Sequence, residues 1–236
     1  MIPQSAHAES YSIPVVGRWT KLQIGLEIPS TPVWAHDLVL NASRVWNSAQ
    51  VWFRYNFFPE GSVYSFVESH SGNVTISFSI PAECASIAVG WTQYILAAPS
   101  TILGARVFLD GRVFDDSQEP NSTIRTYALW VALHELGRVL GLGSLLDGHD
   151  IMDPVGTVTR GDAPPLISFI DLFALHMLAT EPFLSSSVIV LNTDQQASLN
   201  AWDLLGLSPK NQVATRLFDP TAICPVRSAE SPICYV

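Results

Sequence analysis

A chain of 236 residues that is 48% apolar and only 14% charged is long enough for one well-packed domain, and this composition argues against disorder for most of it. The net charge of −9, with lysine only at Lys21 and Lys210 and no basic cluster, argues against a nucleic-acid partner held by a phosphate-neutralising patch. No apolar run approaches the ~20 residues of a membrane-spanning helix, and stretches such as Ser185–Leu191 are only strand-sized, so no membrane span is expected.

Residues 1–17 read as an N-terminal segment, and its opening, Met1 to Ser10, has neither the basic region nor the apolar run of a signal peptide. Trp19–Ile28 alternates, with Leu22, Ile24, Leu26 and Ile28 on one face, and predicts a strand. Pro32 opens a helix through about Ala49, where Trp34, Leu38, Leu40, Val45 and Trp46 recur at helical spacing. Strands are expected at Val51–Phe57, Val63–Val67, Val74–Ile80, Ser86–Trp91 and Ala105–Leu109, divided by turn segments such as Pro59-Glu60-Gly61 and Ser71-Gly72-Asn73. After a polar loop over Asp110–Thr123, a second helix runs from about Ile124 to Leu140. It ends at Gly141 or Gly143, where a residue without Cβ can turn left-handed. A looped stretch to Pro165 leads to a third helix at Ser168–Ala179. Residues 182–236 form a C-terminal extension expected to pack on the domain, with a strand at Val188–Leu191. Strand, helix, then several strands is the order of an α+β domain with a mixed sheet carrying a helix on one face.

The chemistry is concentrated in His134-Glu135-Leu136-Gly137-Arg138-Val139-Leu140-Gly141-Leu142-Gly143-Ser144, followed by His149 and by Ile151-Met152-Asp153-Pro154. The segment resembles the metzincin signature, His-Glu-x-x-His-x-x-Gly-x-x-His followed by a Met-turn, in its matrixin form. Histidines four apart share one helix face and can reach one zinc ion, with the intervening glutamate as general base toward the zinc-bound water. His134 matches the first ligand, Glu135 the base, Gly141 the turn glycine and Met152 the Met-turn. Arg138 stands at the second ligand position and Ser144 at the third. Asp171, on the third helix, matches an aspartate that anchors the Met-turn in this family. The resemblance spans Arg18–Thr180 and sets the domain at 18–181. It implies a zincin-like fold: a twisted mixed sheet, an active-site helix, a Met-turn and a C-terminal helix. It further implies a secreted zinc metalloendopeptidase that takes an extended polypeptide along a sheet edge.

The two replacements weaken that implication. Arginine offers only donors and a fixed positive charge, and serine is a poor neutral ligand, so little or no peptidase activity is expected. A reshaped loop would need His149, or a carboxylate from Asp147, Asp150 or Asp153, as a substitute ligand. Alternatively, Arg138, three residues after Glu135 on a helix, takes the vacated metal position and neutralises that carboxylate, leaving a silent peptide-binding or structural domain.

Other signals are weaker. Cys84, Cys224 and Cys234 are either three free thiols or include a Cys224–Cys234 disulfide; the second reading is favoured and would require an oxidising compartment. Asn-x-Ser/Thr sequons begin at Asn41, Asn73 and Asn121, and add slightly to the expectation of an extracellular protein. The loop from Asp110 through Asp115, Asp116 and Glu119 has carboxylates for calcium, a minority reading beside that of an ordinary solvated loop. His70 and His176 read as surface or packing histidines, with His36 on the first helix and His7 on a loose end.

Overall fold

The structure, a computed structural model, describes residues 12–81, 89–98, 100–114, 122–144, 151–152, 167–180 and 188–190. The expected roles of His149, Asp147, Asp150, Asp153, Cys84, the Cys224–Cys234 pair, the carboxylates at 115–119 and most of 182–236 lie outside the described residues.

A six-stranded mixed sheet forms the body of the fold. Strand β3 (Gln23–Glu27) pairs in parallel with β4 (Ser65–Glu68) on one side and β5 (Val74–Ser77) on the other. β5 pairs in parallel with β7 (Thr101–Leu109), whose first residues also pair with the short β2 (Arg18–Trp19). β6 (Gly90–Ala98) runs antiparallel to β7 and closes that side of the sheet. Parallel neighbours ordinarily need a long crossover, and helix α1 (Val33–Phe57) supplies one between β3 and β4. From β4 to β5 residues 69–73 suffice, because β5 begins at the level where β4 stops: Leu26 faces Glu68 on one side and Val74 on the other. Outside this sheet, β1 (Ser12–Pro14) pairs antiparallel with β8 (Val188–Val190). The predicted alternation around β3 holds at Ile24 and Leu26, both fully buried, whereas Leu22 is exposed.

The expected strand at Val51–Phe57 is instead the last two turns of α1, so the helix does not end at Ala49. The buried series Leu38, Val39, Ala42, Trp46, Gln50, Phe53 keeps helical spacing without a break. Phe53 then packs on Phe57, Phe58 and Phe169, so tertiary contacts decide against the strand preference of Val51, Trp52 and Phe53 taken alone. The same helix covers the outer edge of β4. Asn47 accepts from the Phe66 N–H at 2.8 Å and donates to the Phe66 carbonyl at 2.9 Å, while the Gln50 side chain accepts from the Tyr64 N–H at 3.2 Å.

Helix α2 (Ser122–Val139) packs on α1, and α3 (Phe169–Thr180) on the far end of α1 through the phenylalanine cluster. Strand β6 starts at Gly90 among the described residues and continues to Ala98, beyond the expected Ser86–Trp91. The overall class is therefore the expected one, mixed helix and sheet, with three helices among the described residues. Among the described residues, no helix is long and apolar enough to cross a membrane.

Candidate functional site

Helix α2 carries His134, Glu135 and Arg138, and its C-terminal half is gripped by donors from three other elements. The Trp46 indole of α1 donates to the Leu133 carbonyl at 2.9 Å, and the Trp19 indole of β2 donates to the Val139 carbonyl at 2.7 Å. From β6, the Tyr94 hydroxyl donates to the Arg138 carbonyl at 2.8 Å. The helix ends in a Schellman closure: Leu142 N–H bonds the Gly137 carbonyl and Gly141 N–H the Arg138 carbonyl. Gly141, at φ +102°, makes this possible, and a Cβ there would also collide with the Gly17 carbonyl. Ser144 follows, half-buried, in the chain leaving the helix.

The three polar side chains are almost wholly removed from solvent: His134 is 6% exposed, Glu135 4% and Arg138 4%. His134 Nδ1 lies 2.7 Å from the Ile151 carbonyl, which can only accept, so Nδ1 carries the proton and Nε2 the lone pair. Burial pushes its pKa down to about 3; the charge of Arg138 adds to the fall, and the Ile151 bond opposes it. The imidazole is neutral at pH 7.

Glu135 turns the other way, toward the first residues of β6. Its Oε2 accepts from the Thr92 hydroxyl at 2.6 Å. Its Oε1 would lie 2.8 Å from a Cβ placed on Gly90, so the absence of a side chain there is what admits the carboxylate. Burial raises its pKa to about 7, against the Thr92 hydrogen bond and the charge of Arg138. The expected Arg138–Glu135 pairing is thus corrected in form: Arg138 acts on the carboxylate through its charge, and the hydrogen bond belongs to Thr92.

Met152 is fully buried beneath α2. A Cβ on Gly137 would lie 2.5 Å from the Met152 sulfur and 2.8 Å from the Trp46 ring, so Gly137 is the point where α1, α2 and the Met152 turn converge. Asp171, also fully buried, forms a reciprocal cap with Ser168 at the start of α3: each side chain accepts from the other's backbone N–H at 3.1 Å.

The donors among the described residues do not by themselves complete a zinc site, and His149 and the carboxylates that could add to them lie outside those residues. A zinc site takes three protein donors around an open position. The described part of the site offers one neutral imidazole, a carboxylate turned to Thr92, and a buried guanidinium that repels a divalent cation. Among the described residues, no three His, Cys, Asp or Glu side chains converge elsewhere either. In the expected calcium loop, the Asp110 carboxylate is bonded to the Arg112 guanidinium at 2.6–3.0 Å and to the Arg112 N–H at 2.8 Å. His176 stacks on Phe58 at 4.1 Å, a packing role, while His70 is exposed and His36 bridges toward Glu68 at 3.0 Å.

Thr92, Gly90 and Tyr94 went unnoticed in the sequence. They are residues i, i+2 and i+4 of a strand and so share the face turned to α2. A glycine at the start of a strand-forming run rich in aromatic and β-branched residues, Trp91 to Ile95, is the available signal of a close backbone approach.

No family model matches the chain, and no curated protein matches it. Among solved structures it is similar to a chain described as the GM1 bound form of the ECX AB5 holotoxin, at 14% identity. That match covers 72% of this chain and 88% of the other, with a TM-score of 0.44.

Proposed function

We propose that this chain is a secreted, matrixin-like metzincin domain that has lost its zinc chemistry and acts by binding extended polypeptide without cleaving it. The observation that carries this reading is the burial of Arg138 on the helix face of His134, one turn further along. A fixed positive charge there lowers the proton affinity of the imidazole, and it opposes a zinc ion in the same way.

The remaining framework supports the family reading. Helix α2 carries His134 and Glu135, the glycine turn at 141 closes it, and Met152 is buried beneath Gly137, which is consistent with that signature. The antiparallel strand β6 lies beside Glu135 at the rim of the sheet, and no described residue pairs with its outer edge. An extended peptide added there would make main-chain hydrogen bonds regardless of its sequence, with side-chain preferences set by the flanking surface.

The test is to incubate the purified chain with an unstructured peptide library, recover bound peptides and determine their ends by mass spectrometry. Intact peptides, retained equally with and without chelator, are expected. Chelator-sensitive cleavage of the library or of casein, abolished by Glu135→Gln, would overturn the reading and restore that of a working endopeptidase.

A further inference from the structure

We propose that Thr92 is a positioning residue that draws Glu135 onto strand β6 and silences it as a general base, independently of the two lost ligand positions. The catalytic meaning of this inference rests on the metzincin reading above; the Thr92–Glu135 contact does not.

A general base must come within ~3 Å of the water or proton it handles. One oxygen of Glu135, Oε2, is already committed to another partner. Oε2 is held at 2.6 Å by the hydroxyl of Thr92, a residue only 2% exposed, and Oε1 lies in the space that a side chain on Gly90 would fill. His134, the neighbouring residue, directs its imidazole to Ile151 instead, so the two side chains diverge from the helix.

The Thr92 hydroxyl is also 3.3 Å from the Glu135 main-chain carbonyl, and so spans both ends of one residue. A hydroxyl has one proton and two lone pairs. When Glu135 is ionised, the hydroxyl proton points to Oε2. When Glu135 is protonated, the carboxylic acid donates to Oγ1 and the hydroxyl proton turns to the main-chain carbonyl. The contact therefore survives in either state of the carboxyl group. Through the same contact, β6 is fastened to α2 at Thr92 as it is at Tyr94.

The contact is tested in the natural chain by a double-mutant cycle on the urea midpoint, with Thr92→Val and Glu135→Met. Each single variant leaves a buried polar group without its partner and lowers the midpoint. The double variant, apolar at both positions, should recover most of the loss, and Thr92→Ser should follow the parent. Losses that simply add, or no shift in Thr92→Val, would overturn the proposal.

Its catalytic consequence is tested by restoring histidine through Arg138→His with Ser144→His, measuring zinc content and peptide turnover separately. Zinc without turnover is expected, with turnover rising by roughly a hundredfold at unchanged zinc content once Thr92→Val is added, the lower end of what a general base contributes. Equal turnover with and without Thr92→Val at full zinc content would overturn it. No zinc in either variant would count against the metzincin reading instead, and the cycle would still decide the role of Thr92.

Discussion

The two rims of the sheet are treated in opposite ways. At β4, side chains of α1 imitate a neighbouring strand: Asn47 both donates to and accepts from Phe66, and Gln50 accepts from Tyr64. At β6, no described residue pairs with the outer edge, yet the inner face is fastened to α2 through Gly90, Thr92 and Tyr94. An unpaired edge invites association with other strands, and folded proteins commonly block it. On the function proposed above, an extended polypeptide would add at β6, where no described residue pairs, rather than at β4, whose edge two amides of α1 already satisfy.

The contrast can be broken from either side. The largest effect is expected for Gly90→Val, which forces branched carbons into the space of the Glu135 carboxylate and Val131, and so pushes β6 off α2. A loss of about 3 kcal/mol in chemical unfolding is expected, with peptide binding lost as well. Asn47→Leu unseals the other rim by leaving the Phe66 N–H and carbonyl unpaired; it should cost about 2 kcal/mol. It should also introduce concentration-dependent self-association, visible in sedimentation. A variant that loses stability but stays monomeric would show that α1 covers β4 by bulk rather than by hydrogen bonding.

A subtler effect concerns pH. Glu135, with its pKa raised from 4.5 to about 7, binds its proton more tightly when folded; the stability linked to it is intact below pH 4.5 and is lost as pH rises through 7. His134, lowered from 6.5 to about 3, has the opposite sense: its share is intact above pH 6.5 and is lost as pH falls toward 3. Between pH 4.5 and 6.5 the two slopes oppose each other. Glu135→Gln, which keeps an acceptor for Thr92, should therefore gain stability relative to the parent as pH climbs from 4.5 to 7, on the order of 1–2 kcal/mol across the window. A parallel pair of pH profiles would refute the assignment. The smallest change is expected for Tyr94→Phe. The Arg138 carbonyl keeps its bond from Gly141, so about 1 kcal/mol should be lost, with the fold intact by circular dichroism.

What the sequence revealed was local in origin. The third helix begins one residue from its predicted start, since Ser168 and Asp171 form a cap written in four consecutive residues. The end of α2 was legible because glycine at 141 or 143 can take the left-handed turn required there, and it is Gly141 that takes it. The class of fold followed from the order of these elements. The last turns of α1 were not legible because Val51, Trp52 and Phe53 favour a strand in isolation, while part of the packing that keeps them helical comes from Phe169, more than a hundred residues away. The site divides in the same way. His134, Glu135, Arg138 and Met152 were legible from spacing along one segment. The hydrogen-bond partner of Glu135 was not, because helix spacing offers Arg138, which acts through its charge, while the pairing of β6 with β7 brings in Thr92. Contacts made by strand pairing leave no mark at helical spacing.

The most direct measurement is the zinc content of the chain, purified without added chelator, by elemental mass spectrometry. With Arg138 buried beside His134 and Glu135 bound to Thr92, essentially no zinc is expected, and adding zinc should leave the unfolding midpoint unchanged. About one zinc per chain, with a midpoint that rises as zinc is added, would contradict it and show that His134 has found a second set of ligands.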